Sequence, residues 1–121
     1  MNWEPESEMN ENGLTSVQVK VQLDYKLANL YLRYEEDGLW LSIISVFMSD
    51  LGSNQSEIYK KILEINFSTT MTKFGLNDGK LYGLVELPLY SLDFSEFQAG
   101  IRRLTNDLNK YYPIVKEIMN S

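Results

Sequence analysis

Apolar residues recur in alternating three- and four-residue steps along the last quarter of the chain. This spacing aligns one narrow stripe along a helix, as in a seam against another helix or a sheet. Asp93 and Glu96 form a capping box at its start. Pro113 lacks the N–H that a continuous helix needs, so a kink or restart is predicted near Tyr112. The stripe consists of Phe97, Ile101, Leu104, Leu108, Tyr111, Val115 and Ile118.

Strict alternation of apolar and polar residues marks two segments in the first third of the chain. Such period-two alternation predicts strands with one buried face and one solvated face. Residues 39–48 are apolar at both alternating sets, which predicts a third strand covered on both faces. That strand is either central in the domain or half of an interface. The alternating apolar residues are Val17, Val19, Val21 and Leu23, then Leu30, Leu32 and Tyr34.

The middle of the chain predicts one helix and one hairpin. Asn54 with Glu57 has the spacing of a capping box, and the helical stripe that follows stops near Asn66. Residues 71–76 and 80–87 read as strands joined by a tight turn at 77–79. The predicted order is therefore β-β-β-α-β-β-α. It describes an α+β fold in which a twisted antiparallel β-sheet packs against helices on one face.

The first fourteen residues differ from the rest in composition. They are polar, aperiodic and acidic, and they predict a flexible tail, with docking through Trp3 as the alternative. Residues 15–121 then form a single domain. The net charge is −6, of which the tail carries −4, because the remainder has 11 basic and 13 acidic residues. A net-negative body disfavours nucleic acid and anionic membranes, so basic or apolar protein partners fit better.

The chain contains no cysteine and no histidine. Disulfides, thiolate chemistry and the commonest general base and metal ligand are therefore excluded. We predict that the protein is not an enzyme and takes no cofactor or metal, although a pair of carboxylates remains a distant catalytic alternative. No apolar run approaches the length of a membrane span, and the start lacks the layout of a signal peptide. Both observations predict a cytoplasmic location.

Four short runs stand out in the second half of the chain: Ile62-Leu63-Glu64-Ile65-Asn66, Lys73-Phe74-Gly75-Leu76, Asn77-Asp78-Gly79 and Val85-Glu86-Leu87-Pro88-Leu89. Together they resemble the YbjN-type domain, whose fold is shared with the class I chaperones of type III secretion. In those proteins a helix ends in Leu-Asn, a glycine-turned hairpin follows, and a Leu-Pro-Leu step precedes the last helix. The resemblance spans about Leu30 to Leu108. The secretion chaperones usually begin with a helix where this chain has its acidic segment, so the YbjN-type domain is the closer likeness.

The resemblance implies a dimeric, non-enzymatic protein that holds or escorts another polypeptide. The two-faced strand and two amphipathic helices also predict more apolar surface than a small domain can cover, and hence a homodimer with a protein partner. The alternative is a small-molecule or metal-responsive sensor domain with a pocket between the sheet and the terminal helix. The predicted partner or dimer surface consists of Trp40, Ile44, Ile58, Tyr59, Tyr82 and Leu84.

Overall fold

A computed structural model describes residues 14–35 and 38–121 in full and the backbone of residues 5–11. It contains six strands and two helices in these ranges. The elements are β1 (Pro5–Glu11), β2 (Leu14–Gln22), β3 (Leu27–Glu35), β4 (Trp40–Met48), α1 (Gln55–Ser68), β5 (Lys73–Asn77), β6 (Lys80–Pro88) and α2 (Phe94–Met119).

The six strands form one antiparallel sheet in the order β1-β2-β3-β4-β6-β5. From Leu14 onward, the predicted α+β fold and the order β-β-β-α-β-β-α are confirmed. Residues 5–11 form an edge strand paired with β2 rather than part of the predicted tail. Residues 1–4, 12 and 13, including Trp3, lie outside the described residues. The backbone ladder explains the edge strand, because main-chain pairing does not require apolar side chains.

Both helices pack on one face of the sheet. Helix α2 comes very close to the sheet at Gly83 of β6, because a Cβ placed there would lie 2.8 Å from Leu108 and 3.4 Å from Leu104 of α2. The strand residues that alternate toward this face are buried, as the period-two pattern predicts. The seam of α2 is buried between them. Its fully buried members and the largest strand residues below it are Ile101, Leu104, Leu108 and Val115, with Leu30, Ile43, Phe47, Leu81 and Val85.

Helix α2 runs unbroken through Pro113. The predicted restart near Tyr112 is therefore wrong. Pro113 lies on the exposed side of the helix, while Tyr111 and Val115 on the other side keep their place in the core. The predicted cap is confirmed at the start of α2, where Asp93 accepts a hydrogen bond of 2.8 Å from the backbone N–H of Glu96. Neither described helix combines the length and the apolar composition needed to cross a membrane.

Asn54 precedes α1, but its side chain makes no capping hydrogen bond. Its amide nitrogen instead donates to the carbonyl oxygens of Ile118 and Ser121, at 2.9 and 2.8 Å. The predicted capping box with Glu57 is therefore wrong. The reason is tertiary: the carbonyl oxygens of Ile118, in the last turn of α2, and of Ser121, just beyond it, lie within reach of the Asn54 amide, which donates to both. The side chain ties the start of α1 to the end of α2.

The hairpin between β5 and β6 has the predicted turn. Asp78 and Gly79 both have positive φ, at 54° and 77°, as a two-residue turn of this class requires. The preceding helix continues past Asn66 to Ser68, so Asn66 is not the left-handed end residue that its position suggested. Its side chain reaches β5 instead.

Candidate functional site

The face of the sheet opposite the helices carries a mixed apolar and charged surface, which we call the open face. Its side chains alternate with buried ones along three central strands. They remain partly or largely exposed, because both helices lie on the other face. Apolar side chains that stay accessible on a sheet face are a common feature of interaction surfaces. The open face consists of Tyr31, Arg33, Trp40, Ser42, Ile44, Val46, Tyr82, Leu84 and Glu86.

Strand register sets the layout of the open face. Ile44 of β4 pairs with Tyr31 of β3 on one side and with Leu84 of β6 on the other, which makes an apolar row across three strands. The neighbouring row runs from Arg33 through Ser42 to Glu86. Cross-strand neighbours on one face are close enough for their side chains to touch. The open face therefore has an apolar row beside a row with a cation at one end and an anion at the other.

Besides a groove of about 530 Å³ lined by Trp40, Lys73 and Glu86, two shallow grooves cross this face. One has a volume of about 290 Å³ and lies between β4, β6 and β5. The other, of about 350 Å³, lies toward β2 and β3. Arg33, Ile44 and Tyr82 line both grooves, so the two grooves are continuous. A grooved surface of this kind accommodates the side chains of a partner protein more readily than a small enclosed ligand.

The structure brings four of the six predicted surface residues together. Trp40, Ile44, Tyr82 and Leu84 all lie on the open face. The prediction is wrong for Ile58, which is 0% exposed in the core beneath α1. Tyr59 is partly buried and packs against the same core. Adjacent residues of a helix point about 100° apart, and the apolar stripe of α1 includes both, so the sequence pattern did not distinguish core from surface.

A second exposed apolar group lies where β4 begins and β6 ends, and we call it the aromatic end. The exposed fractions are 69% for Leu39, 86% for Tyr90 and 66% for Phe94, and Trp40 is 52% exposed. A 2.9 Å hydrogen bond from the Leu89 N–H to the Leu39 carbonyl joins the two segments here. Of this group, only Trp40 belongs to the partner surface predicted from the sequence. The others occur in connections and at the first turn of α2, where no periodicity marks them.

Acidic residues flank the aromatic end on two sides, and Lys73 shares the groove beside Trp40. Asp93 and Glu96 begin α2 beside the aromatic end, and Glu35 ends β3, the strand next to β4. Neither residues 38–50 nor residues 81–101 contain a lysine or arginine. Hydrogen bonds from the Glu96 backbone and the Ser95 side chain hold the pKa of Asp93 below its usual value. Asp93 therefore keeps its negative charge at physiological pH.

A groove of about 500 Å³ lies beside the C-terminal half of α2. The rings of Tyr25 and Tyr112 form part of its wall, stacked 3.7 Å apart and 6° from parallel. Burial raises the pKa of the Tyr25 hydroxyl well above its ordinary value, and nearby Tyr112 adds to the shift. This groove is not the pocket that the sensor alternative placed between sheet and helix, because Leu104 and Leu108 fill that space. It lies at the margin between α2 and the β2–β3 connection.

Within residues 14–35 and 38–121, no three acidic side chains converge closely enough to hold a metal ion. Burial lowers the pKa of Lys26, whose ammonium group lies 3.3 Å from the Val46 carbonyl.

Neither a protein-family model nor a curated protein matches this sequence.

Proposed function

We propose that the chain is a non-enzymatic protein-binding module of the YbjN or secretion-chaperone-like class, chaperone- or adaptor-like in action. It works as a homodimer and holds a polypeptide partner. The observation that carries the proposal is the aromatic end, where Leu39, Tyr90 and Phe94 are each more than half exposed. Large apolar side chains grouped this way in a soluble domain mark a surface that another molecule covers.

Burial of these side chains supplies the binding energy. An aromatic side chain buries about 150–250 Å² on full coverage, and each Å² of apolar surface contributes about 25 cal/mol. Phe94 already has a ring neighbour in Phe97, with centroids 6.4 Å apart, so part of the surface is preorganised. A rigid aromatic anchor loses little side-chain entropy on binding. Such anchors at the centre of a contact typically carry most of its affinity.

The charges around the aromatic end define the partner. Glu35, Asp93 and Glu96 outnumber Lys73, which shares a groove with Trp40, so the rim attracts cations overall. We therefore expect the bound segment to combine apolar side chains with lysine or arginine. The net charge of −6 acts in the same direction at longer range.

Two synthetic peptides test this directly. One alternates lysine with leucine, and its counterpart alternates glutamate with leucine. At physiological salt, fluorescence polarisation should show the lysine peptide binding about tenfold tighter or better, which corresponds to about 1.4 kcal/mol. The double variant Tyr90→Ser/Phe94→Ser should lose that binding.

Leu27→Ser provides the matched control. Leu27 is also more than half exposed, but it lies at the opposite end of β3 from the aromatic end. Binding by this variant should equal that of the wild type. Equal affinity for both peptides, or full binding by the double variant, would contradict the proposal.

The groove beside Tyr25 and Tyr112 favours a small-molecule-responsive domain as the second candidate. Stacked aromatic rings next to Asn109 and Lys116 offer apolar and polar contacts to one ligand. A thermal-shift screen of metabolites distinguishes the two functions. A stabilising compound whose effect disappears in Tyr112→Ala supports the sensor, and a screen without any such compound removes it.

A further inference from the structure

We infer that the open face is a homodimer interface, in which two copies pack face to face about a two-fold axis along β4 and Arg33 of each copy pairs with the partner's Glu86. This inference rests on the homodimeric part of the proposed function and makes no use of Leu39, Tyr90 or Phe94, although Trp40 belongs to both the open face and the aromatic end.

The charged row of the open face is arranged for this pairing. Arg33 and Glu86 lie on strands β3 and β6, one strand to either side of Ser42 on β4. A two-fold axis that runs along β4, between the two sheets, carries the position of β3 onto that of β6. Arg33 then lies opposite the partner's Glu86, and the symmetry makes this pair twice. A self-complementary surface of this kind is what a two-fold interface requires.

The apolar row obeys the same operation. Ile44 lies on the axis and meets its own counterpart, while Tyr31 lies opposite the partner's Leu84. Farther out in this row, Lys73 of β5 pairs with Leu84, and Gln18 of β2 pairs with Tyr31. Lys73 therefore lies opposite the partner's Gln18, so the row brings no like charges together. Packed sheets are rotated by about 30°, a displacement that is small for strands next to the axis.

The Glu86 carboxylate can serve two cations. Within its own chain it already accepts from the Lys73 ammonium group. A carboxylate has about four acceptor positions, so a planar guanidinium from the second copy can bind beside the lysine. Arg33 is exposed and belongs to no ion pair found among the described residues. Pairing therefore adds a counterion to Arg33 without removing the one that Lys73 has.

The size of the face agrees with a stable dimer. An axis along β4 places β3 opposite β6 and β2 opposite β5, so five strands overlap and β1 lies outside the contact. Strands about 4.8 Å apart that rise about 3.3 Å per residue give five strands of up to nine residues a face of about 19 by 30 Å. That is about 570 Å² per partner, or about 1,100 Å² for the two copies together, just above the roughly 1,000 Å² that a specific interface needs. Edge-to-edge growth at β5 is hindered, because the Asn66 side chain occupies the backbone N–H and C=O of Phe74.

Charge exchange between two variants tests the pairing. Arg33→Glu alone should weaken dimerisation about 10- to 100-fold, because it places two acids opposite each other at both pairs. Glu86→Arg alone should do the same, because it places two bases opposite each other. Mixed in equal amounts, the two variants should form a heterodimer of near wild-type affinity, since positions 33 and 86 then carry opposite charges at both pairs. Light scattering after size exclusion measures mass, and circular dichroism confirms that each variant is folded.

Arg103→Glu, an exposed change on α2, is the matched control and should leave the dimer unchanged. A dimeric wild type that neither single variant weakens would overturn the open-face inference while leaving the homodimeric proposal standing. A monomeric wild type would overturn both, but not the peptide binding assigned to the aromatic end. A monomer whose open face is protected by the glutamate–leucine peptide would identify an acidic polypeptide as the occupant and likewise overturn the inference.

Discussion

The side-chain amide of Asn66 pairs with the backbone of Phe74 in both directions. Its oxygen accepts from the Phe74 N–H at 2.8 Å, and its nitrogen donates to the Phe74 carbonyl at 2.9 Å. A residue of α1 thus takes the place of a neighbouring strand along the outer edge of β5. Edge strands need such protection, because unpaired backbone groups attract other chains.

Replacing Asn66 with alanine should therefore destabilise the fold. Two part-buried backbone groups of Phe74 would lose their partner, at a cost of about 1–3 kcal/mol in unfolding free energy. Urea denaturation followed by circular dichroism measures this cost. Lys60→Ala, an exposed change on the same helix, should alter stability by less than about 0.5 kcal/mol. Equal effects of the two substitutions would refute the role given to the amide.

Gly83 should not tolerate a side chain. An alanine Cβ would lie 2.8 Å from Leu108, and overpacking of this kind costs about 1–3 kcal/mol. Combining Gly83→Ala with Leu108→Ala should cost less than the sum of the two single changes, because the smaller residue makes room.

Gly75 provides the control for the Gly83 substitution. It lies on the next strand, β5, and a Cβ there would meet nothing within 4 Å. Gly75→Ala should be neutral or stabilise by about 0.4–1 kcal/mol, since it restricts the unfolded chain. If Gly83→Ala proved as harmless in chemical denaturation, the close approach of α2 to the sheet would not be the reason for a glycine at position 83.

Pro113 should lower the stability of α2. Alanine at this position restores an N–H that can donate to the carbonyl of Asn109, so we expect a gain of about 1–3 kcal/mol in unfolding free energy. Thermal denaturation measures the gain, with Glu117→Ala on the same helix as an exposed reference. An unchanged melting temperature for Pro113→Ala would show that the helix accommodates the proline without loss.

The alternation of valines in β2 and the seam of α2 predicted their elements and their buried faces correctly, since periodicity alone determines which side chains share a face. Strand β1 was missed because its polar sequence pairs through the backbone, which leaves no apolar signal. Asn54 was misassigned for a different reason. A side chain suited to capping α1 satisfies carbonyl groups of Ile118 and Ser121, more than sixty residues away.

The candidate site was predictable in part for similar reasons. Trp40 and Ile44 were identified because β4 is apolar on both faces, and the helices cover one face only. Ile58 was assigned to the surface because the stripe of α1 does not say which of its residues contacts the sheet. Tyr90 and Phe94 left no periodic signal, and their exposure becomes evident only once the β6–α2 connection is placed.

Alkaline pH should destabilise the protein through Tyr25. Burial raises the pKa of this hydroxyl above the unfolded value of 10.0, so the stability linked to the neutral form is fully present below pH 10 and is lost as pH rises toward the folded pKa. Tyr25→Phe removes the titrating group. Plots of unfolding free energy against pH should give parallel curves for the two proteins near neutral pH. Above pH 10 the curves should diverge, with the wild type less stable. Parallel curves throughout would contradict the burial of the hydroxyl.

The bonds from Asn54 to the last turn of α2 have a consequence for native-state dynamics. Since the side chain at the beginning of α1 bonds to the end of α2, opening of one helix either breaks these hydrogen bonds or takes the other helix with it. The helical layer should consequently open as a single cooperative unit. Amide hydrogen exchange would then give α1 and the C-terminal half of α2 a common opening free energy, and Asn54→Ala would separate them.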